Sequence, residues 1–273
     1  MTILSNSERR DVAVDIVRNA GKIALRFWTN RDDLQVSLKG DNDFLTVADG
    51  IVENYLREQF KTRLPKDRFV GEEGGGELHD EGTWVVDPID GTSNFAAGLQ
   101  DWCISAAYMK KGMATIGIVY APTLEEMFIA NSGEGATCNG RAMHVSDPIA
   151  AGAAIVDTDW SPGADKAQFI SMTGHLMDRG IDYRRPGSAA LSLARVASGR
   201  RNAYIEYFSR PWDVLAGLVL VREAGGWSNR YEDAVKVQAG GPVMACCPAM
   251  AKVLEDITRI IVYPPLAQGS SPV

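Results

Sequence analysis

The sequence predicts an α/β fold with an α+β N-terminal half, because three patterns follow one another along the chain. Two amphipathic helical segments come first, then short apolar runs separated by turn formers, and then alternating strand-like and helix-like segments. The chain has 273 residues, which is more than one hydrophobic core usually fills. We therefore expect either two closely packed subdomains or one large α/β domain.

The first two elements are predicted to be helices. In residues 8–28, apolar side chains recur at steps of three and four residues, which places them on one helical face. Residues 47–64 repeat this pattern, and Pro65 ends it. The segment KGDNDFLT between them is polar and rich in turn formers, so it predicts a loop.

Strands dominate the middle of the chain. Trp84, Val85 and Val86 form an apolar strand that ends at Asp87. From Cys103 to Val145, runs such as CISAAYM and ATIGIVYA are separated by the turn formers KKG, APT and NSGEG. This stretch predicts an antiparallel sheet.

After Pro148 the pattern alternates between strand and helix over about 125 residues, a usual size for a domain. The predicted strands are AAIVDT, IDYRR, AYIEYF and PVMACC, and the predicted helices are 164–179, 188–198, 213–224 and a last one beginning near Pro248.

Composition excludes several classes of protein. The 28 basic and 35 acidic residues give a net charge of −7, and no basic block could follow a nucleic-acid backbone. The four cysteines lack CxxC spacing and the three histidines are scattered, so neither a zinc site nor a disulfide framework is supported. The N-terminus lacks a signal-peptide pattern and no apolar run could span a bilayer, so we expect a cytoplasmic protein without a membrane partner.

The stretch WVVDPIDGTSNF sets two acids three positions apart where a strand ends. Pro88 stiffens the turn, Gly91 permits a backbone conformation closed to other residues, and Thr92, Ser93 or Asn94 can cap a helix. A helix start attracts phosphate oxygens, and two carboxylates tolerate a phosphate only with cations between them. In the alternative interpretation, Asp87 caps the turn and Asp90 is solvated.

Two further acidic clusters favour a metal site. FVGEEGGG places Glu72 and Glu73 after another apolar strand, and RPWDVLAGLVLVREAGG places Asp213 just before an apolar helix. Taken singly, the first pair could be a solvated loop and Asp213 an N-terminal cap. Three such clusters in one chain are harder to explain in that way.

At these positions the chain resembles the inositol monophosphatase family of Mg²⁺-dependent, Li⁺-sensitive phosphatases. The matching stretches cover nearly the whole chain: GEE at 71–73, DPIDGTSNF at 87–95, GIVYAPTLEEMFIANSGEGATCNGR at 117–141, GSAALSLARVASGRRNAYIE at 187–206 and WDVLAGLVLVREAGG at 212–226. The resemblance implies a five-layer αβαβα sandwich of the sugar phosphatase type. It also implies an N-terminal α+β domain in residues 1–146, a C-terminal α/β domain in 147–273 and an active site between them.

The resemblance also implies the roles of the site residues, including two to three Mg²⁺ ions per site. Two metal positions would share Asp87 and use these ligands: Glu72, Asp87 and the Ile89 carbonyl for the first, and Asp87, Asp90 and Asp213 for the second. Thr92 with Glu72 would orient and deprotonate a water, and Asp49 would hold the Thr92 hydroxyl. The backbone N–H groups of Gly91 and Thr92 would receive phosphate oxygens. Lys39 matches a lysine near the third metal, although a solvated loop lysine is an equal alternative.

Substrate recognition follows from the same resemblance. Glu206 matches an acid that accepts hydrogen bonds from ring hydroxyls, and Ser188 and Ala189 match the neighbouring wall. The alternative is a surface Glu206 paired with Arg184, Arg185 or Arg210.

Because no aromatic residue is evidently placed to stack a base, a phosphorylated polyol such as inositol 1-phosphate is the expected substrate. Histidinol phosphate and nucleotide 3′-phosphates are the alternatives. The family suggests a homodimer, and a relative with the same fold can also work through a protein partner. The segment DTDWSPGADK at 157–166 matches no stretch of the family and is expected near the entrance of the leaving-group pocket.

Overall fold

The structure is a computed structural model that describes residues 4–34, 36–40, 43–79, 81–234 and 239–265. Helices α1 (Asn6–Thr29) and α2 (Val47–Arg63) confirm the two amphipathic segments. Ser5 caps α1, since its side chain accepts a hydrogen bond from the Glu8 N–H and the Glu8 carboxylate accepts one from the Ser5 N–H. The apolar face of α1 is buried, as its spacing predicts.

The segment between α1 and α2 forms a hairpin, so the predicted loop is wrong. Strands β1 (Val36–Gly40) and β2 (Asp43–Thr46) pair antiparallel, with Val36 opposite Thr46. The polar sequence KGDNDFLT gave no sign of these short strands, because backbone pairing requires no apolar face. Lys39 lies in β1, and its side chain lies outside the described part of the chain.

A seven-stranded sheet follows and confirms the antiparallel middle region. Its strand order is β3-β4-β5-β6-β7-β8-β9, with β3 and β4 parallel and the other neighbours antiparallel. The strands are β3 (Arg68–Gly71), β4 (Thr83–Asp90), β5 (Cys103–Lys110), β6 (Met113–Ala121), β7 (Glu126–Asn131), β8 (Gly135–Cys138) and β9 (Arg141–Ala142). The short helix α3 (Thr92–Ala97) begins directly after β4.

The second half forms a five-stranded sheet of order β11-β10-β12-β14-β13. Strand β10 runs parallel to β11 and β12, whereas β14 is antiparallel to β12 and β13. The elements are β10 (Ile155–Thr158), α4 (Lys166–Asp178), β11 (Asp182–Arg184), α5 (Ala189–Ala197), β12 (Ala203–Ser209), α6 (Pro211–Glu223), β13 (Trp227–Ser228), α7 (Tyr231–Ala234), β14 (Gly241–Cys246) and α8 (Ala251–Thr258). The sequence analysis missed β13 and α7, which are too short to show a period.

The sheets and helices stack in five layers, as expected. Helices α1 and α2 cover one face of the seven-stranded sheet, α5 and α6 lie between the two sheets, and α4 and α8 cover the five-stranded sheet from outside. Helix α6 approaches the seven-stranded sheet so closely that a Cβ at Gly117 would lie 2.3 Å from the Ala216 carbonyl oxygen.

The boundary between domains at residue 146 stays a prediction. The middle core joins side chains of both sheets, with Val85 from one and Tyr204 and Val243 from the other. Among the described residues, no helix combines the length and apolar character needed to cross a membrane.

Candidate active site

A cleft of about 470 Å³ opens between the two sheets. One wall comes from the ends of β3 and β4 and the start of α3, and the other from residues 159–162, residues 185–187, β12 and the start of α6. The acids that line it are Glu72, Asp87, Asp90, Asp159, Glu206 and Asp213. The three acidic clusters of the sequence therefore converge in one place.

A β-bulge brings Asp87 and Asp90 to the same cleft. Asp87 lies opposite Ser105 and Asp90 opposite Cys103, so β4 has one residue more than β5 between these pairs. Residues three apart in a regular strand point to opposite faces, and one extra residue returns both to the same face. The strand therefore continues to Asp90 and does not end at Asp87 as predicted. The bulge accommodates Pro88, which has no N–H for the ladder.

The N-terminus of α5 holds the Asp90 carboxylate. Asp90 is 7% exposed and accepts hydrogen bonds from the Ser188 hydroxyl at 2.6 Å, the Ala190 N–H at 2.7 Å and the Ala189 N–H at 3.2 Å. The alternative of a solvated Asp90 is therefore wrong. Ala189 lines the cleft, whereas Ser188 is buried and contacts Asp90, so a direct contact of Ser188 with substrate stays a prediction.

Thr92 and Asp49 lie together as the resemblance implied. The Thr92 hydroxyl lies 3.3 Å from Asp49 Oδ1 and 3.0 Å from the Ile89 carbonyl oxygen. Asp49 is buried and is fixed by Thr46, whose N–H and hydroxyl donate to Oδ2 at 2.8 and 2.6 Å. Asp49 is thus held in position to accept the single proton that the Thr92 hydroxyl can donate.

Gly91 begins α3 in a conformation that favours glycine, with φ +92°. A Cβ at this position would lie 2.8 Å from the Asp101 carbonyl oxygen and 3.1 Å from that of Gly187. Asn94 joins the same two loops, because its Nδ2 donates to the carbonyls of Asp101 and Pro186 at 2.7 Å each. The start of α3 is therefore held rigidly at the floor of the cleft.

Glu72 lines the cleft from a turn that a residue missed by the sequence analysis holds in place. Glu53 of α2 is buried, and its carboxylate accepts hydrogen bonds from the N–H groups of Glu73 and Gly74, each at 2.7 Å. Arg57 pairs with Glu53 at 2.7 Å. The available signal was the four-residue step from Asp49 to Glu53, which places both acids on one face of the helix.

Asp213 combines the two roles that the sequence left open. It lies in the first turn of α6, where its Oδ2 accepts a hydrogen bond from the Arg210 N–H at 3.0 Å, and it also lines the cleft. Asp213 can therefore cap α6 and still line the cleft.

Glu206 is 5% exposed and lines the cleft, so the alternative of a surface acid is wrong. It accepts hydrogen bonds from the Tyr204 hydroxyl at 2.8 Å and from the Ser209 hydroxyl. Arg184 and Arg185 pair with Asp182 and Asp159 instead, and the Arg210 guanidinium donates to the Ala239 carbonyl. Burial, and next the charge of Asp159, raise the pKa of Glu206 to about 8.

The acid cluster is electrostatically unfavourable without cations. Burial, and next the neighbouring carboxylates, hold the pKa values of Asp87 and Asp213 well above their usual range. Burial raises the pKa of Asp90 to about 6 in spite of the Ser188 and Ala190 hydrogen bonds.

Carboxylate and carbonyl oxygens without sulfur or imidazole suit hard divalent cations such as Mg²⁺. The described residues contain no group of three His, Cys, Asp or Glu side chains already gathered around an ion position. Asp90 and Asp213 direct oxygens at helix N–H groups, so the fit rests on the chemistry of the donors.

Part of the segment 157–166 lines the cleft, through Asp159, Trp160, Ser161 and Pro162. Its position near the entrance of the leaving-group pocket stays a prediction. Trp160 is an aromatic side chain in the cleft that was not evident from the sequence. A single tryptophan in an irregular loop has no period that could reveal its position.

Comparison with known proteins points to one family. The sequence model of the inositol monophosphatase family matches residues 5–256. An inositol-1-monophosphatase of Rhizobium meliloti (strain 1021) is 35% identical over 261 residues, covering 94% of this chain and 98% of the relative. The Nus factor SuhB of Escherichia coli (strain K12) is 35% identical over 251 residues, covering 89% and 93%.

Solved structures agree with this result. The Thermotoga maritima IMPase has a TM-score of 0.82 at 28% identity and covers 92% of this chain and 97% of its own. The extragenic suppressor protein suhB from Bartonella henselae has a TM-score of 0.84 at 29% identity, covering 91% and 97%.

Proposed function

Because the chain belongs to the inositol monophosphatase family, we propose that it is a Mg²⁺-dependent phosphoric monoester hydrolase acting on a small phosphorylated polyol. The leading substrate is myo-inositol 1-phosphate, which yields inositol and phosphate. The observation that carries the proposal is the convergence of Glu72, Asp87, Asp90 and Asp213 beside the Thr92–Asp49 pair.

The acid cluster would hold the metal ions. Glu72, Asp87 and the Ile89 carbonyl supply oxygens for one position, and Asp87, Asp90 and Asp213 supply them for a second, with two to three Mg²⁺ in all. Bound there, Mg²⁺ lowers the pKa of water and offsets charge on the oxygens of the displacement. Li⁺, similar in size with half the charge, would occupy such a position without supporting the reaction.

The protein's own groups orient the reactants. Thr92 and Glu72 orient a water molecule toward the phosphorus atom. Asp49 fixes the Thr92 hydroxyl by accepting a hydrogen bond from it. The N–H groups of Gly91 and Thr92, at the start of α3, bind phosphate oxygens. The water oxygen bonds to phosphorus and loses a proton to Glu72 as the ester P–O bond breaks, and the leaving alkoxide takes up a proton from solvent. No covalent enzyme intermediate is needed.

Glu206 and the start of α5 face the alcohol part of the substrate in this proposal. A carboxyl group with two neighbouring hydroxyl donors is suited to bind the vicinal hydroxyls of a polyol. Ser188 and Ala189 complete the wall through their contacts with Asp90. Histidinol phosphate and nucleotide 3′-phosphates remain the rival substrates of the same chemistry.

A panel of substrates tests the proposal. Phosphate release is measured with Mg²⁺ on inositol, sugar, histidinol and nucleotide monophosphates, and we expect the highest kcat/KM on inositol 1-phosphate. A higher kcat/KM on histidinol phosphate or on a nucleotide would show that the substrate is not a polyol phosphate. No phosphate release from any of these substrates would contradict the proposal that the protein is a phosphatase.

A second candidate function is regulatory binding to a protein partner. It is favoured by relatives named Nus factor SuhB that match at the same identity as the monophosphatase. The discriminating experiment is complementation of a strain lacking the gene with the Asp213→Asn protein. Rescue by this variant, once it is shown to release no phosphate, would favour the binding role.

We also infer a homodimer, as the family resemblance implies. Light scattering should then give twice the chain mass of 29.6 kDa. A mass of one chain at micromolar concentration would contradict this inference.

A further inference from the structure

The backbone of Trp160 is held on both sides by one ion pair. Arg185 Nε contacts Asp159 Oδ1 at 2.7 Å, and the same oxygen accepts the Trp160 N–H at 2.8 Å. Arg185 Nη2 donates to the Trp160 carbonyl at 3.2 Å. Asp159 and Arg185 thus close a ring of hydrogen bonds around a single residue, which fixes its position more tightly than a surface loop requires.

The loop is also attached to the strand that carries Glu206. The Ser161 hydroxyl donates to the Phe208 carbonyl at 2.8 Å, and a Cβ at Gly163 would lie 2.5 Å from the Phe208 ring. Phe208 lies in β12, two residues after Glu206. The positions of Trp160 and Glu206 are therefore fixed relative to each other through β12.

Trp160 gives the cleft an aromatic side chain. The residue lines the cleft, whereas its indole Nε1 is buried below the surface with no acceptor among the described residues. A ligand in the cleft therefore meets the indole ring and does not reach its N–H. The indole also presents a flat apolar face, against which a ring can pack.

The charges beside Trp160 favour an uncharged leaving group. Arg185, the basic side chain that lines the cleft, is paired with Asp159. Among the described cleft residues, no unpaired basic side chain is left to bind a second phosphate on the substrate. What remains for recognition is the indole ring and the carboxyl group of Glu206.

We propose that Trp160 is a specificity-determining residue that recognises an uncharged, ring-shaped polyhydroxy leaving group, and that Asp159 and Arg185 are positioning residues acting through it. The proposal rests on the proposed phosphatase function and narrows its substrate class. One face of the ring packs on the indole, and the ring hydroxyls meet Glu206. An acyclic leaving group offers hydroxyls but no face to the indole.

The test compares two substrates. Trp160→Ala should lower kcat/KM for myo-inositol 1-phosphate about 10- to 30-fold, mainly through KM, as expected for the loss of one apolar contact between a saturated ring and an indole. Glycerol 2-phosphate, which has hydroxyls but no ring, should change less than about threefold. Trp160→Phe keeps an aromatic face, so it should retain most of the native ratio of kcat/KM for inositol 1-phosphate to kcat/KM for glycerol 2-phosphate. Trp28→Ala, outside the cleft, should leave that ratio unchanged.

A double-mutant cycle tests the positioning role. Asp159→Ala should lower the same ratio in the native background and have little further effect in the Trp160→Ala background, because it acts through Trp160. Additive losses would show that Asp159 contacts the substrate or supports the fold, and would overturn its assignment as a positioning residue.

The failures of the two proposals are distinguishable. If the native protein hydrolyses both substrates and Trp160→Ala lowers both equally or neither, the inference about Trp160 is overturned while the phosphatase stands. If neither substrate is hydrolysed, the proposed function fails, and calorimetry of myo-inositol 1-phosphate binding with Mg²⁺ decides the inference. Equal affinity of the native and Trp160→Ala proteins would then overturn it. Unchanged binding of inorganic phosphate shows that the variant is folded.

Discussion

At the scale of single residues, Asp90 shows how hydrogen bonds orient a buried carboxylate whose ionised form burial disfavours. Three donors at the start of α5 hold its carboxylate, yet burial still raises its pKa to about 6. These hydrogen bonds fix the orientation of the side chain, and they leave its charge available to an ion in the cleft.

Asp90→Asn should abolish most activity and leave the fold intact. The amide has nearly the same shape, but it removes one negative charge from the proposed metal position. We expect kcat to fall by roughly three or more powers of ten, because the ion stabilises charge mainly in the transition state. The melting temperature should fall by only a few degrees, because the new NH2 group faces an N–H donor of α5 while the loss of one charge relieves repulsion among the acids. Asp178→Asn, at an exposed position, is the control, and near-native kcat in folded Asp90→Asn would contradict the site.

Glu206 makes a prediction that depends on pH. With a pKa of about 8, its carboxyl group is largely neutral below that pH, and glutamine resembles a neutral carboxyl in shape and hydrogen bonding. Bound cations lower this pKa by offsetting the charge of Asp90. Glu206→Gln should therefore reduce kcat/KM for inositol 1-phosphate by about 10- to 100-fold at pH 9 and by less at pH 6. Hydrolysis of p-nitrophenyl phosphate should barely change, and equal losses on both substrates would mean that Glu206 supports the metal site or the fold.

At the scale of elements, the turn after β3 depends on α2. Glu53 accepts both N–H groups of the turn, and a Cβ at Gly71 would lie 2.4 Å from its carboxylate carbon. The glycines of GEEGGG therefore permit a close approach of backbone to a buried acid, and the same contact aims Glu72 at the cleft.

Glu53→Ala should weaken metal binding through Glu72. Loss of the acceptor frees the turn, and comparable losses behind metal ligands typically cost 10- to 100-fold in affinity. We expect the Mg²⁺ concentration for half-maximal activity to rise by about that factor, with kcat largely recovered at saturating Mg²⁺. Glu58→Ala, on the exposed side of the same helix, should behave like the native protein, and an unchanged Mg²⁺ dependence of Glu53→Ala would refute this role.

The elements that sequence predicted well are those with a long period. The apolar face of α1 repeats over six turns, and the strands of 103–145 are separated by clear turn formers, so both were found. The paired strands β1 and β2 were missed because they are short and the sequence around them is polar.

The parts of the site that escaped prediction depend on tertiary contacts. The bulge in β4 is visible only from its register with β5. The roles of Glu53 and Trp160 depend on contacts with the 72–75 turn and with the loop-to-β12 attachment, which only the folded chain brings together. The resemblance supplied Asp49, Thr92 and the acids, whereas Trp160 lies in a segment where the sequence alone showed no stretch typical of the family.

At the scale of the whole molecule, the buried acids make stability depend on pH. The folded protein holds protons on Glu206 up to about pH 8 and on Asp90 up to about pH 6, whereas the unfolded chain releases them near 4.5 and 3.8. Between these values the folded state binds more protons, so its stability falls as the pH rises.

The melting temperature in EDTA should therefore drop between pH 5 and pH 8. One pKa unit corresponds to about 1.4 kcal/mol, so we expect a fall of roughly 5–10 °C for a chain of this size. Glu206→Gln should show a shallower decline, and Mg²⁺ should flatten the curve by pairing with the ionised acids. A melting temperature that stays level or rises over this range in EDTA would contradict the raised pKa values.

The central claim is that the carboxylate cleft performs metal-dependent hydrolysis of a phosphate monoester. The most direct measurement is the initial rate of phosphate release from myo-inositol 1-phosphate as Mg²⁺ is added back to protein treated with excess EDTA. We predict no release above background in EDTA, recovery in millimolar Mg²⁺, and suppression of the recovered rate by millimolar Li⁺. Full turnover in the presence of excess chelator would contradict the account.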